Sequence, residues 1–484
     1  MAREGAALFE TGIRQFRMAM GMVSGRRLDP HNIERLVDDA LATLAEFGEP
    51  GEDAQTLTDG PLTDPAERWQ IAINNVRRTA RRLAVRSPFY ARRFAAAAVW
   101  PDKLDAESLA TIPVTVKGDL VRQPDDFQCA DVQRYLATRT TGTTGRPAEI
   151  WLSRYEMELW PALSALAAVL RDDLRPSDVM QVNVSSRATA TVSMDVAICR
   201  LVGTGCRLLG FIPPDEALDN LGNGGVTLLN TSASYLGQLV VAARRRGVGP
   251  DEFRLRRIDV GGEILSPSLV QAARETFGVA QVNDLFGMTE VIPVTARTCG
   301  QGHLHHDVTT GLVEYLDLET GAPATPGALA TVVVTPFFPF RECMPVFRYD
   351  TRDVVRRIAD EDLTCEASGL PGTSKVLGKA DQLIRLGAAD IVTPRQVVEA
   401  VEALPTEPWP ARFRLSAAGG RLTLTLPEST LAGVDHAEAV RHFADRGLAV
   451  DVRLVPDDQA TSLRQVRSDL RETTFVAQPS VIGA

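Results

Sequence analysis

The stretch Thr140-Thr141-Gly142-Thr143-Thr144-Gly145-Arg146-Pro147 lies between the apolar runs 135–137 and 150–152, so we predict a loop between two strands. Its two glycines allow backbone N–H groups to approach an anion closely. The threonine hydroxyls add donors, and Arg146 adds a permanent positive charge. The GxxxxGK[ST] nucleotide loop is excluded, because no Gly-Lys-Ser/Thr follows. The stretch predicts a phosphate-binding loop, and a Thr/Gly-rich hairpin without a ligand stays open as the alternative.

Composition limits the classes of protein to which this chain can belong. At 484 residues it is too long for one core, so we expect at least two domains. The net charge of −10 argues against nucleic acid or an anionic membrane as the main partner. No run reaches the roughly 20 apolar residues that span a bilayer, and no secretory segment begins the chain. Six widely spaced cysteines do not resemble a disulfide framework, which favours a soluble, cytoplasmic protein. The only lysines are Lys103, Lys117, Lys375 and Lys379.

The N-terminal part of the chain has helical periodicity. Residues 1–64 predict a helical extension that ends in a Gly/Pro/Asp/Thr-rich linker at 48–64. Its apolar residues recur at helical spacing: Ile33, Leu36, Val37, Leu41 and Leu44. A second helix is predicted over 65–85. We interpret the arginines of this helix as a solvated face, with a polyanion site as the alternative.

Between residues 138 and 355, short apolar runs alternate with helical segments, a pattern typical of βαβ units with ligands at the strand ends. The predicted strands are 179–184, 227–230, 257–260 and 281–285. After residue 378 the pattern predicts a small α+β unit, with helices at 394–404 and 435–446, a hairpin at 413–426 and a strand at 449–455. We therefore predict an α/β fold with three parts: 1–64, 65–378 and 379–484.

Three further segments follow the Thr/Gly loop in order: Asp284-Leu285-Phe286-Gly287-Met288-Thr289-Glu290, Arg348-Tyr349-Asp350-Thr351-Arg352-Asp353 and Gly378-Lys379-Ala380-Asp381-Gln382. Together with the loop, they resemble the ordered motifs of the adenylate-forming (AMP-binding) superfamily, and most closely those of the phenylacetate–CoA ligase group. Looser matches are 87–90, 112–120 and 231–235. The resemblance covers about residues 85–475. It implies a large N-terminal adenylate-forming domain and a small mobile C-terminal lid domain.

The resemblance also implies a reaction and a set of site residues. ATP and Mg²⁺ would activate a carboxylic acid as an acyl-adenylate, and the acyl group would usually pass to CoA. Thr289 would donate to the α-phosphate, Glu290 would bind Mg²⁺, Phe286 would stack on adenine and Asp353 would accept from the ribose. The remaining implied cofactor-binding residues are Thr140, Thr141, Gly142, Thr143, Thr144, Gly145, Arg146, Gly262, Glu263, Asp284, Gly287 and Lys379.

The chain departs from the family pattern near its C-terminus. The family's catalytic lysine falls on Leu463, and no lysine follows Lys379. Loss of one preorganised donor typically costs about 10²–10³ in rate. Arg464 is the candidate replacement, although arginine and lysine are not interchangeable. Smaller departures are Lys379 in place of Arg, Arg352 in place of Gly, and Arg146 in place of the loop lysine. Two alternatives stay open: activation for an amine or nitrite without CoA, and a non-catalytic nucleotide-binding paralogue.

Two further features bear on ligands. Cys299, His305 and Cys365 match the spacing of a zinc site in some relatives, with Ala367 in place of the last cysteine, and His303, His306 or water is the fourth ligand. A metal-free loop is the alternative. The acyl pocket is expected between 183–193, 231–235, 261–263 and 286–288. Polar residues near Arg187 favour an aromatic acid with a hydroxyl, amino or second carboxyl group, and a solvent-facing Arg187 is the alternative. A homodimer stays open.

Overall fold

The computed structural model describes residues 2–48, 64–140, 147–185, 188–386, 391–418 and 420–460, apart from the side chains of 2–9 and 23. Its helices are α1 (Ala2–Ser24), α2 (Pro30–Phe47), α3 (Pro65–Arg86), α4 (Pro88–Ala96), α5 (Ala106–Thr111), α6 (Lys117–Arg122), α7 (Pro124–Phe127), α8 (Arg154–Leu170), α9 (Thr189–Val202), α10 (Pro214–Asn223), α11 (Ala233–Arg246), α12 (Pro267–Phe277), α13 (Pro394–Glu402) and α14 (His436–Ala444).

The strands are β1 (Leu136–Arg139), β2 (Glu149–Leu152), β3 (Val179–Asn183), β4 (Gly205–Leu208), β5 (Leu228–Thr231), β6 (Arg257–Gly261), β7 (Gln281–Gly287), β8 (Thr295–Thr298), β9 (Leu304–His306), β10 (Gly311–Asp317), β11 (Leu329–Pro336), β12 (Tyr349–Arg356), β13 (Gly372–Thr373), β14 (Gly378–Lys379), β15 (Ile384–Arg385), β16 (Ile391–Val392), β17 (Arg414–Ala418), β18 (Arg421–Pro427) and β19 (Val450–Val455).

An eight-stranded sheet in the order β13-β9-β8-β7-β6-β5-β3-β4 forms the centre of the larger part of the chain. Strands β3 to β7 pair in parallel, and β8, β9 and β13 extend the sheet with antiparallel pairs. The parallel strands are joined through helices, so their carboxyl ends meet at one edge of the sheet. The four strands predicted between 179 and 285 are confirmed. Strands β10, β11, β12 and β14 form a second, antiparallel sheet.

Local signals in the sequence explain where the helices begin. Ser153 and Glu156 form a reciprocal capping box at the start of α8, because the Ser153 side chain accepts from the Glu156 N–H and Glu156 accepts from the Ser153 N–H. The predicted helix of the N-terminal extension is confirmed as α2, which buries Ile33, Leu36 and Val37. The linker at 49–63 lies outside the described residues.

The helix predicted over 65–85 is confirmed as α3. Its arginines bind groups of this chain: Arg77 Nε donates to the Leu104 carbonyl at 2.7 Å, and Arg82 pairs with Asp131 at 3.0 Å. These contacts differ from a fully solvated arginine face, because the apolar packing of α3 brings both side chains against neighbouring segments. They favour a structural role over a polyanion site.

The C-terminal part has a core of its own, with apolar residues between Ile384 and Val450. Helices α13 and α14 pack with the three-stranded sheet β17-β18-β19, in which β18 and β19 are parallel. The elements predicted for this region are confirmed. β14 still pairs with β12 of the larger part, and the boundary at 378/379 stays a prediction. Within the described ranges, no helix is long and apolar enough to cross a membrane.

Candidate active site

A cavity of about 860 Å³ lies against the eight-stranded sheet and reaches the carboxyl ends of its parallel strands. Its lining includes most of the predicted site residues in the described part of the chain, with Cys365, His303 and His306 outside it: Thr140, Gly262, Glu263, Asp284, Phe286, Gly287, Thr289, Glu290, Cys299, His305, Asp353 and Lys379. Residues from all four segments expected around the acyl group also line it. Motifs distant in sequence therefore share one cavity.

Glu290 is a buried carboxylate just beyond the end of β7. Its side chain lies 3.7 Å from Lys117 Nζ at the start of α6. Glu290 Oε1 is buried and has no hydrogen-bond partner among the described residues. A buried carboxylate oxygen with spare acceptor capacity suits a hard cation such as Mg²⁺, which takes few protein ligands beside phosphate oxygens. The residues present therefore fit the ion that the resemblance implies.

Asp353 is held by an ion pair with Lys379, one of the departures from the family pattern. The two residues face each other across β12 and β14, and Lys379 Nζ lies 2.8 Å from Asp353 Oδ2 and donates to the Thr351 carbonyl at 3.0 Å. Burial raises the pKa of Asp353, whereas Lys379 lowers it. The ammonium group therefore favours the carboxylate form, which can accept from hydroxyl groups.

Arg352, another departure, has a left-handed backbone. Its φ angle is +62°, a conformation that glycine adopts without strain, and its N–H donates to the Asp350 carboxylate at 2.8 Å. This geometry gives a physical reason for the glycine that the family pattern has here.

Asp284 faces two cations across the cavity wall. Lys375 Nζ lies 3.8 Å and Arg395 Nη2 lies 3.6 Å from Asp284 Oδ2. Burial raises the pKa of Asp284, and Arg395 and then Lys375 lower it. Arg395 belongs to α13, so Asp284 connects the sheet to the C-terminal part.

The predicted adenine residues border the cavity at the ends of β6 and β7. Phe286 is half-buried and packs edge-on against His306, with ring centroids 5.3 Å apart. Gly262 has a left-handed φ of +78°, which turns the chain after β6. Glu263 accepts from the Ser234 N–H at 2.7 Å.

The Thr/Gly loop joins β1 and β2, as predicted. Thr140 closes its first end, because its N–H donates to the Ala148 carbonyl and its hydroxyl oxygen accepts from the Ala148 N–H, both at 3.0 Å. Thr141 to Arg146, Arg187, Leu463 and Arg464 lie outside the described residues.

A second cluster gathers four potential metal ligands. The ligand atoms of Cys299, His303, His305 and Cys365 all lie within 4.8 Å of one another. His305 Nδ1 lies 3.3 Å from the Leu370 carbonyl, while its Nε2 lies 3.2 Å from Cys365 Sγ. A carbonyl at the other ring nitrogen typically orients a metal-binding histidine.

Of the three candidates for the fourth ligand, His303 lies in this cluster and His306 does not. His303 Nδ1 is buried and has no hydrogen-bond partner among the described residues. His306 instead contacts the Tyr315 hydroxyl through Nδ1 at 3.0 Å, and burial lowers its pKa to about 3. Two thiols and two imidazoles match a tetrahedral zinc site.

The sequence reasoning missed the roles of Lys117 and Lys375, which both line the cavity. The scarcity of lysines was the available signal, since three of the four are at this site. It also missed the polar side chains that the parallel strands present to the cavity, among them Asn230, Asp259 and Asn283. Their signal was a polar residue inside each of these three short strands.

Comparisons with known proteins agree with this geometry. The AMP-binding enzyme family matches residues 100–327. The phenylacetate–coenzyme A ligase of Thermus thermophilus is 26% identical over 344 residues, which are 66% of this chain and 72% of that protein. The enzyme of the same name from Aromatoleum evansii is 23% identical over 331 residues, 65% of this chain and 70% of that protein.

Solved structures show the same fold. A 2-hydroxyisobutyryl-CoA ligase in the postadenylation state, in complex with 2-HIB-AMP, has a TM-score of 0.71 at 18% identity, over 86% of this chain and 91% of that chain. The family match and these relatives support an adenylate-forming ligase that is similar to the AMP-binding enzymes. The similarity to the phenylacetate–coenzyme A ligases confirms the resemblance found in the sequence.

Proposed function

We propose that this chain activates an aromatic carboxylic acid with ATP and Mg²⁺ as an acyl-adenylate, and then transfers the acyl group to CoA. The observation that carries the proposal is the single cavity, in which Glu290 and Lys117 lie together with Phe286, Asp353 and Lys379. The names of the two phenylacetate–coenzyme A ligases support the aromatic acid and the CoA step.

In the proposed first step, a carboxylate oxygen of the acid attacks the α-phosphorus of ATP. The bond from that phosphorus to the bridging oxygen breaks, and pyrophosphate leaves with the electron pair. When bound, Mg²⁺ would neutralise charge on the phosphate oxygens. Glu290 would hold that ion, Lys117 would add positive charge beside it, and Thr289 would donate to the α-phosphate.

The nucleotide would be oriented by residues on several elements. The Phe286 ring supplies a face for adenine, beside the turn at Gly262 and Glu263. Asp353, whose carboxylate form Lys379 favours, would accept from the ribose hydroxyls. The 140–146 loop would hold the β- and γ-phosphates, with Asp284 and Gly287 completing the wall. Arg464 remains the proposed replacement for the missing lysine.

The proposed second step needs the C-terminal part to act as a lid. We assign the extension to 1–64, the adenylate-forming domain to 65–378 and the lid to 379–484. Arg395 with Asp284, and Glu402 with Ser266, are polar contacts between the lid and the larger domain. Trp409 of the lid is also buried in the apolar cluster around α11 and α12, so a lid that changes position would exchange these contacts for others.

We also propose a structural zinc ion at Cys299, His303, His305 and Cys365. The two cysteines lie in different segments, and β9, which contains His305, pairs with β13. A metal at this position would stabilise the edge of the sheet behind the cavity.

Carboxylate-dependent ATP–pyrophosphate exchange without CoA tests the first step. The panel contains substituted benzoates, phenylacetates and cinnamates. We expect exchange with at least one acid, and a loss of about 10²-fold or more in Glu290→Gln. Glu361→Gln, at an exposed residue, is the matched control and keeps the wild-type rate.

Addition of CoA then tests the second step. CoA-dependent release of AMP with formation of a thioester supports transfer to CoA. Exchange without thioester formation would indicate that the acyl group passes to an acceptor other than CoA, such as an amine. If the chain binds ATP but shows no exchange with any acid, the proposed adenylation of an aromatic acid is wrong.

A further inference from the structure

Four polar side chains form one surface of the cavity, away from the motif residues. Asn230, Asp259 and Asn283 are register partners on the neighbouring parallel strands β5, β6 and β7, so their side chains share a face of the sheet. Asp195 reaches the same place from α9. We call these four residues the polar floor. All four line the cavity that contains Thr289 and Glu290.

Hydrogen bonds hold the polar floor in place. Asn283 Nδ2 donates to Asp259 Oδ1 at 2.7 Å, and Asn230 Nδ2 donates to Asp195 Oδ2 at 2.9 Å. The two amides are therefore fixed as donors to the two carboxylates. The carboxylates, in contrast, retain acceptor capacity, because an ionised carboxylate has about four acceptor positions.

The two carboxylates of the polar floor differ in their ion pairs. Arg257 lies between two carboxylates, with Nη2 2.6 Å from Asp259 Oδ2 and Nη1 2.7 Å from Asp173 Oδ1. Asp195 forms no ion pair with any residue that the structure describes, and its hydrogen-bond partner there is the neutral Asn230. Burial, together with the negative charges of Cys206 and Asp259, raises the pKa of Asp195 to about 7.

A carboxylate withdrawn from water is unfavourable unless a cation or hydrogen-bond donors compensate it. An acid with a plain hydrocarbon end would displace water from Asp195 and leave that carboxylate without compensation. A second carboxylate on the substrate would add negative charge beside Asp195 and Asp259, and neither residue offers it a cation. An amino group supplies further N–H donors, and positive charge when it is protonated, beside Asp195, whose hydrogen-bond partner in the described part of the chain is the neutral Asn230.

The strands also set the distance between this surface and the reacting end. Asp259 lies two residues before Gly261, the end of β6, and Asn283 lies four residues before Gly287, the end of β7. At about 3.3 Å per residue, these separations are roughly 7 and 13 Å. The polar floor is therefore placed to meet the end of the substrate that is remote from its carboxylate.

We propose that the acid activated by this chain carries an amino group, remote from its carboxylate, that donates to Asp195. The inference rests on the proposed adenylation and specifies its substrate class. Of the three substituents that the sequence left open, it selects the amino group and excludes a second carboxylate.

ATP–pyrophosphate exchange with matched acids tests this inference. Benzoate, phenylacetate and cinnamate are each compared with their para-amino, para-aminomethyl, para-hydroxy and para-carboxy derivatives, so that length and chemistry vary separately. We expect an amino-bearing member to exceed its unsubstituted parent at least ten-fold in kcat/KM, because buried polar groups reject an analogue that leaves them unpaired. This comparison uses the wild-type chain and needs no variant.

Variants then assign the preference to Asp195. The amino preference is the kcat/KM for an amino-substituted acid divided by the kcat/KM for its unsubstituted parent. In Asp195→Ala, we expect this amino preference to fall at least ten-fold. Asp195→Asn keeps a hydrogen-bond acceptor but removes the charge, so its ratio should lie between those of the wild type and Asp195→Ala. Asp251→Asn, at an exposed aspartate, keeps the wild-type ratio. Binding of an ATP analogue by each variant reports an intact nucleotide site.

Two results would overturn the inference while the proposed function stands: equal or better exchange with unsubstituted, hydroxy or carboxy acids, and an unchanged ratio in a folded Asp195→Ala. Exchange with no acid at all would instead contradict the proposed function, and this inference with it.

Discussion

Replacement of Lys379 by methionine removes the positive charge beside Asp353 and retains most of the side-chain volume. At a separation of 2.8 Å and an effective dielectric constant of 20, the Coulomb attraction in this pair is about 6 kcal/mol. Desolvation of the two ions offsets part of that attraction. Breaking such a buried pair costs about 3–5 kcal/mol, because one charge stays buried without compensation. Asp353 reduces this cost by taking up a proton.

The consequence for nucleotide binding follows from the sign of the pKa change. Burial already raises the pKa of Asp353, and loss of Lys379 raises it further, so less carboxylate is present at pH 7. A lost charge-assisted hydrogen bond to the ribose corresponds to about 1.5–3 kcal/mol, or roughly 10–100-fold weaker binding. As the pH rises, Asp353 loses its proton, and the defect should shrink.

Calorimetric titration with a non-hydrolysable ATP analogue between pH 6 and 9 measures this effect. Lys379→Arg keeps the positive charge and serves as the matched control, with binding close to wild type across the range. Lys379→Met should bind 10–100-fold more weakly at pH 7 and recover towards pH 9. Unchanged binding at pH 7 in a folded Lys379→Met, or a loss that does not vary with pH, would refute this reasoning.

Three further predictions concern other parts of the molecule. Lys117→Met should lower pyrophosphate exchange about 10²-fold, whereas Lys103→Met, at an exposed lysine, should not; equal rates in the two variants would exclude Lys117 from phosphate binding. Zinc measured by mass spectrometry should be about one ion per chain, and should be lost in Cys365→Ser but not in Cys206→Ser, an exposed control; a wild-type chain without zinc after purification with the metal contradicts the site. Burial raises the pKa of Glu402 to about 7, so wild-type stability contributed by its protonated form is lost as pH rises from about 4.5 to 7. Glu402→Gln should therefore unfold at nearly the same temperature as wild type at pH 4, below the unfolded pKa, and be more stable by roughly 3 kcal/mol at pH 8; a gain at pH 4 that disappears by pH 8 would contradict the sign.

The sequence predicted the secondary structure well where local signals agree with tertiary contacts. Strands β3, β5, β6 and β7 are short apolar runs that end at polar or glycine residues. Parallel strands covered by helices on both faces are expected to have this pattern. Helix α2 was equally predictable, because its apolar residues recur at helical spacing and Asp29 caps the helix just before its first residue, Pro30.

The candidate site was partly predictable for a different reason. Thr289, Glu290 and Asp353 belong to motifs whose order along the chain carries the resemblance. Nothing in the local sequence around Lys117 indicates that it lies beside Glu290. Only the folded chain brings Lys117 Nζ to within 3.7 Å of the Glu290 carboxylate. The choice of His303 over His306 likewise depends on which way each ring points along β9 and its preceding turn.

The sequence by itself determined the α/β class, the positions of the parallel strands and the resemblance to a ligase superfamily, since these depend on local periodicity and on ordered motifs. The tertiary structure alone decided which charges meet: Lys379 with Asp353, Arg395 with Asp284, and Asp195 with no cation in the described part of the chain. Electrostatic interactions depend on separation and burial rather than on position along the chain. A strand register and a helix packed above it therefore determine the ligand chemistry of the cavity.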